Sequence, residues 1–337
     1  MYLEILFVLI VTFCAYQLLI RYAKNLNLVD IPNIRSSHTV PTIRGFGLVI
    51  FSSVCVTLLI FNLSFFIENI YLLSAVFLIV LLGLVDDIKE TLPMIKIGTV
   101  IVVYLLLYID GFLITNLGIF IGVSIELYFL VSILFTLFAL VAFTNAFNLI
   151  DGLDGLSGLI SMIILFSFLF IGYENNDQLL IIIPILFITS IVVFIFYNWH
   201  PAKVFLGDSG SLMIGFVISV LGIKSLDYIE PISILYITGV PIIDSIIVFF
   251  RRILAGQSPF APDKKHLHHI VLLYFNGSVE KTVTVIAIFQ AALSIIGVFF
   301  IANVEDSFLS LVIFLAIIFS IYRILTSSYF IKLHENQ

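Results

Sequence analysis

Apolar runs long enough to cross a lipid bilayer recur from one end of this chain to the other, and that recurrence limits the possible folds more than any other feature. Of 337 residues, 62% are hydrophobic and only 11% charged, and the mean hydropathy is +1.25. A soluble domain has no use for so much apolar surface, because its exterior must be wetted by polar side chains. In hydrocarbon the backbone must satisfy its own hydrogen bonds, so the runs are expected to be helices and the chain a polytopic all-α membrane protein. The first run, Tyr2–Ile20, lacks a basic leader and a small-residue cleavage site, and reads as a retained helix. Cys14 and Cys55 lie inside apolar runs as small hydrophobes and say nothing about redox compartment.

About eleven spans are expected, near residues 2–20, 45–63, 70–85, 96–109, 127–147, 156–172, 179–197, 211–226, 231–250, 282–302 and 307–326. Numbering the connections alternately sorts the charges. One side collects Arg21, Lys24, Arg35, Arg44, Lys89, Lys96, Lys203, Arg251, Arg252, Lys264, Lys265, Lys281, Arg323 and Lys332. The other holds Glu68, Asp110, Glu126, Glu174, Asp177, Asp227, Glu230, Glu305 and Asp306, with Lys224 as the exception. By the positive-inside rule the basic side is cytoplasmic, which places the N-terminus outside and the C-terminus inside. The informative polar residues fall in the cytoplasmic loops 21–44, 86–95, 148–155, 198–210 and 251–281 of a single membrane domain spanning 1–337.

Four polar elements stand out. Asp86-Asp87 ends the third span; adjacent carboxylates there are either ordinary boundary charges beside Lys89 or a base or metal-binding pair. Asn145, Asn148, Asp151 and Asp154 recur every third residue, which on a helix makes a slowly drifting stripe. Gly152 and Gly155 then break the helix. Spaced oxygen donors in so apolar a setting suit Mg2+, with Mn2+ as a substitute; the spacing is wrong for an EF-hand, and a purely structural turn is the alternative. The third element, Asn198 to Ser211, contains Gly-Asp208-Ser-Gly. A serine-protease reading fails for want of His and Asp partners in a β-rich context. A glycine-flanked carboxylate offered to a metal fits better, with Phe205 available to stack on a flat base. The last element runs from Arg251 to His269 and carries Lys264, Lys265, His266, His268 and His269. Anion binding aimed at a diphosphate fits this set better than zinc, for which thiolates are absent.

In order and placement, VDDIKE, NAFNLIDGLDGL, PAKVFLGDSGS and SPFAPDKKHLHH resemble the polyprenyl-phosphate N-acetylhexosamine-1-phosphate transferases of glycosyltransferase family 4, over about residues 30–269. The last motif is most similar to the undecaprenyl-phosphate GlcNAc-1-phosphate transferase branch. That resemblance implies an enzyme of the bacterial inner membrane that moves HexNAc-1-phosphate, GlcNAc-1-phosphate above all, from its UDP-sugar to undecaprenyl phosphate and releases UMP, as the first membrane step of O-antigen or a related glycan. It implies Asp208 as the principal Mg2+ ligand with Asn148 beside it, and Asp86 and Asp87 as the pair acting on the carrier phosphate. Phe205 would stack on uracil; Asn145, Asn148, Asp151 and Asp154 would surround the nucleotide; Lys264, His266, His268 and His269 would contact the diphosphate. The chain departs from the pattern at Ser36, where relatives often carry Lys, and at Arg44-Gly-Phe-Gly, so Arg35 and His38 are both open as the contact from the first loop. The partners expected are the UDP-sugar, undecaprenyl phosphate and the bilayer, with no nucleic acid, and a homodimer is left open. The rival readings are a cation-coupled transporter and an inactive scaffold for glycan assembly. The acids gather at cytoplasmic ends rather than mid-membrane, Asp244 excepted, and this favours the transferase.

Overall fold

The computed structural model describes residues 1–32, 40–89, 91–256, 258 and 266–325. Along the chain come α1 (Tyr2–Tyr22), β1 (Val29–Asp30), β2 (Thr42–Ile43), α2 (Phe46–Phe61), α3 (Leu63–Glu68), α4 (Ile70–Ile88), α5 (Pro93–Ile109), β3 (Asn116–Phe120), β4 (Val123–Glu126), α6 (Phe129–Ile150), α7 (Leu156–Asn175) and α8 (Gln178–Asn198). There follow α9 (Gly207–Ser225), α10 (Pro231–Ile237), α11 (Gly239–Leu254), α12 (Leu267–Tyr274), α13 (Val279–Ile295, continued by a π-helical stretch to Ile301) and α14 (Phe308–Leu325). The chain is a multi-pass helical membrane protein. Eight helices are long and apolar enough to cross a membrane, and α10 with α11 makes a ninth if that pair, bent by 86°, is one span. The remaining two expected spans fall on the shorter apolar helices α2 and α5.

α9 is the hub. It is the most buried of the eight long helices and packs against α2, α4, α6, α7 and α8. Small residues allow that closeness: a Cβ on Gly83 of α4 or Gly47 of α2 would collide with the α9 backbone at Ser209 or Gly210. The tight packing is concentrated at the start of α9, where the Gly-Asp-Ser-Gly sequence lies.

The break between α10 and α11 follows from Pro241. Proline has no N–H for the carbonyl four residues back, so Ile237 O is left without its helical partner. Gln290 of α13 repairs the fault from across the bundle. Its Nε2 donates to Ile237 O at 2.7 Å, and its Oε1 accepts from Val240 N at 2.9 Å. Ser294 Oγ adds a longer bond to Ile237 O at 3.2 Å, but in an apolar surrounding Val240 N would otherwise remain unsatisfied, which is why a buried glutamine sits there.

Two small antiparallel ribbons qualify the all-helical expectation. In β1–β2, Val29 pairs with Ile43, and the strand end then runs beside the loop before α9, where Phe205 N donates to Ile43 O at 2.7 Å. β3–β4 forms a hairpin between α5 and α6 at the other end of the bundle, held by Ser307 N to Ile119 O at 2.8 Å. The loops sort into two groups by contact, one at each end. Lys224, the exception in the charge pattern, lies 3.3 Å from Asp177 and 2.9 Å from Asp227, so its charge is matched locally.

Candidate active site

The two adjacent aspartates of α4 do different things. Asp87 is buried, and its carboxylate accepts from Asp208 N at 2.8 Å and Ser209 N at 3.1 Å, so it caps α9 through space. The cap explains why α9 begins at Gly207, four residues earlier than the expected span at 211–226. Gly207 is required there twice over. Its φ is +75°, and a Cβ would stand 2.6 Å from Asp87 Oδ2 and 2.8 Å from Gly45 N.

Asp86 turns the other way. Its Oδ1 accepts from Thr91 N at 2.7 Å and Thr91 Oγ1 at 2.6 Å, and its Oδ2 lies 2.5 Å from Lys96 Nζ. Lys96 Nζ is also 3.8 Å from Asp208 Oδ2, and the Asp86 and Asp208 carboxylates approach within hydrogen-bonding range of each other. On the far side Asn148 Nδ2 donates to Asp208 Oδ1 at 2.8 Å and to Ser211 Oγ at 2.7 Å. The ends of α4, α5, α6 and α9 thus place Asp86, Lys96, Asn148 and Asp208 in one cluster. Asp208 is its more exposed carboxylate, with a side chain 35% exposed, while Asp86 is 8% exposed.

The charge balance is uneven. Asp86, Asp87 and Asp208 act on one another, with Lys96 in direct contact and Arg44 acting on Asp87. A cation suits the excess, and an exposed carboxylate with a neighbouring carboxylate and an amide oxygen is a donor set that Mg2+ accepts. That ion commonly takes one or two carboxylates and leaves its other positions to water and phosphate. Among the described residues no group of three or more His, Cys, Asp or Glu is placed to hold a metal, so a closed zinc-type cage is absent from them.

The other residues of the Asn145–Asp154 series do not share one ligand. Asn145 is exposed and Asn148 alone reaches Asp208. The helix ends at Ile150, so the last two acids lie in the turn before α7. Asp151 Oδ1 accepts from Ser157 Oγ at 2.6 Å. Burial, together with the charges of Asp87 and Asp154, pushes its carboxyl up to about 6. Asp154 Oδ2 meets His200 Nδ1 at 2.8 Å and accepts from Ala202 N at 3.1 Å, tying this turn to the loop before α9. Asn198 reinforces the tie by accepting from Gly155 N and donating to Val204 O, each at 2.8 Å. Phe205 lies on the same loop and is half-buried.

Of the histidine loop, His266, His268 and His269 are described, whereas Lys264, like Arg35, Ser36 and His38, lies outside the described residues. His268 packs on the Asp151–Asp154 turn: a Cβ on Gly152 would run into its ring. Burial and the neighbouring His269 and His266 hold its imidazole down to about 3, so it is neutral and braces the turn without adding charge. Lys96, Thr91, Ser211 and His200 were not among the residues expected at the site. Lys96 carried only a topology signal in sequence, and no local pattern marks it as a partner of Asp86.

A partly open apolar cavity of about 460 Å3 runs from the β3 end of the bundle along α6 toward this end. Its wall on α6 runs from Phe135 to Ala146, within a turn of Asn148, and Ser245 and Ile246 of α11 face it beside Asp244.

The fold and the cluster together define a class: a multi-pass helical membrane protein with a carboxylate–lysine–asparagine site at one end of its bundle. Comparison with known proteins narrows it. The glycosyl transferase family 4 pattern matches residues 69–226. A Bacillus subtilis protein named "probable undecaprenyl-phosphate N-acetylglucosaminyl 1-phosphate transferase" is 33% identical over 305 residues, covering 89% of this chain and 84% of that protein. Undecaprenyl-phosphate alpha-N-acetylglucosaminyl 1-phosphate transferases are similar too. The one from Pasteurella multocida is 34% identical with 78% of each chain covered, and the one from Escherichia coli K12 is 30% identical over 75% of this chain and 71% of its own length. The chain belongs to glycosyl transferase family 4 and is a membrane transferase.

Proposed function

We propose that the protein transfers an N-acetylhexosamine-1-phosphate, GlcNAc-1-phosphate in the first instance, from its UDP-sugar to undecaprenyl phosphate. The observation that carries this reading is the convergence of Asp86, Lys96, Asn148 and Asp208 at one end of an otherwise apolar bundle. The names of the relatives supply the donor sugar and the carrier. In the reaction an oxygen of the carrier phosphate attacks the phosphorus that bears the sugar. The bond from that phosphorus to the bridging oxygen breaks, and UMP leaves with the electron pair. A phosphate monoester is largely ionised near neutrality, so the protein's task is positioning and charge compensation.

Each residue then has a task. Asp208, the exposed carboxylate, and Asn148 would hold Mg2+, which when bound neutralises charge on the diphosphate. Lys96 compensates charge on the transferring phosphoryl group, and Asp86 orients Lys96. Asp87 keeps the start of α9 in place, and Phe205 offers a flat apolar face to the base. The part of the carrier's isoprenoid tail next to its phosphate would lie along the apolar cavity beside α6. We read the site as facing the cytoplasm across a bacterial inner membrane, with the N-terminus outside; the basic loops at this end support that reading. The product would open an O-antigen or related envelope glycan.

Purified protein incubated with undecaprenyl phosphate, Mg2+ and a panel of UDP-HexNAc donors tests the reading. UMP release that requires both lipid and metal is the expected result, and the best donor names the sugar. Folded protein that turns over no donor would contradict it. A phosphorylated enzyme trapped with UDP-sugar alone would show two displacements in place of one.

A further inference from the structure

Asp244 of α11 is buried, and both its carboxylate oxygens are engaged. Oδ2 lies 2.7 Å from His266 Nδ1, and Oδ1 accepts from Leu267 N at 2.7 Å. The second bond caps α12 and is a sufficient structural reason for an acid here. The first goes further. A carboxylate only accepts, so Nδ1 of His266 carries the proton and Nε2 is the nitrogen left for a ligand.

The packing leads from this pair to the active site. The His266 ring is parallel to His268 within 10° at 5.7 Å, and His268 bears on Gly152. Gly152 follows Asp151, whose carboxyl feels the charge of Asp87, the residue of α4 that caps α9. Beside Asp244, Ser245 and Ile246 line the apolar cavity that runs toward Asn148. Asp244 therefore sits where the cavity wall, the histidine loop and the Asp151–Asp154 turn meet.

We propose that Asp244 is a positioning residue for the transferase reaction: it fixes His266 in the Nδ1–H tautomer and holds Nε2 for a phosphate group of the substrates. The proposal rests on the transferase reading above. Nε2 accepts a hydrogen bond from a protonated phosphate oxygen, and as an imidazolium it donates to an ionised one, with Asp244 stabilising the charge. Among the described residues, the other rings facing His266 are the neutral His268 and, beyond it, His269.

Asp244→Asn separates positioning from capping. Its Oδ1 still accepts from Leu267 N, while its amide donates to Nδ1 and drives the imidazole proton to Nε2. The expected result is a fall of about 10- to 100-fold in kcat/KM with the unfolding midpoint little changed. In an His266→Ala background the same change should cost less than about twofold, because the two residues act as one unit. Losses that simply multiply would overturn the proposal and leave Asp244 a cap. Nitrogen-15 NMR of histidine-labelled wild-type protein decides the tautomer without turnover. A proton on Nδ1 of His266 supports the Asp244–His266 arrangement whether or not any donor releases UMP, and a proton on Nε2 refutes it.

Discussion

Two clusters of aspartate and lysine stand at opposite ends of this bundle, and their construction differs. In the cluster joining the α7–α8 turn to the end of α9, Asp177 and Asp227 flank Lys224, Tyr228 Oη donates to Asp177 at 2.8 Å, and Leu180 N caps the remaining oxygen at 3.0 Å. The buried carboxylate is Asp177, the exposed one is Asp227, and the lysine touches both. At the other end Asp86 and Asp208 flank Lys96 while Asp87 caps α9 beside them, and the more exposed carboxylate, Asp208, is the one the lysine reaches only at 3.8 Å. One cluster closes on itself and fastens loops. The other keeps an incompletely matched negative charge facing outward at the mouth of an apolar bundle, and that imbalance makes it able to take a cation and a phosphate.

The contrast predicts a graded set of responses. Lys96→Met should lower kcat/KM by about 100-fold or more, since it removes a charge aimed at the phosphoryl group; steady-state UMP release at saturating lipid measures it. Gly207→Ala should be next. The left-handed φ and the collision with Asp87 together cost about 1–3 kcal/mol, so the variant should unfold at lower temperature and lose activity with the displaced Asp208.

Asp151 gives a pH signature of smaller size. Its folded pKa, near 6, lies above the ordinary carboxylate value, so the folded state holds that proton more tightly than the unfolded chain does. Its contribution to stability is complete below about pH 4 and is lost as the pH rises through 6. Thermal unfolding across that window should therefore show a downward slope in the wild type that Asp151→Asn removes. Smallest of all in turnover should be Lys224→Met at the closed cluster: a modest destabilisation, since Asp177 keeps its bonds from Tyr228 Oη and Leu180 N, with unchanged UMP release.

Much of this arrangement was legible in the residues. Every expected span but one falls on a single helix, and the one at 231–250 falls on the bent pair α10–α11, because apolar length is a local property whereas a bend is not. The motifs VDDIKE, NAFNLIDGLDGL and PAKVFLGDSGS lie on loops that the fold brings together, because glycines and acids interrupting such runs need a reason. What could not be read depends on contacts across the bundle. Nothing near Lys96 in sequence says that it faces Asp86, and nothing in the Asp86-Asp87 pair says that one member caps a helix more than a hundred residues away. The three-residue rhythm of Asn145, Asn148, Asp151 and Asp154 implied a shared face, but the helix stops at Ile150 and sends the last two acids to Ser157 and His200. The bend at Pro241 depends on Gln290, about fifty residues later, to be tolerable in an apolar setting.

The most direct measurement compares Asp208→Asn and Asp227→Asn in the same preparation, assaying lipid- and Mg2+-dependent UMP release and the unfolding midpoint. The account predicts that the first variant stays folded and loses turnover by at least about 100-fold, while the second keeps both its fold and its rate. Equal rates in the two variants would contradict the assignment of the open cluster as the active site.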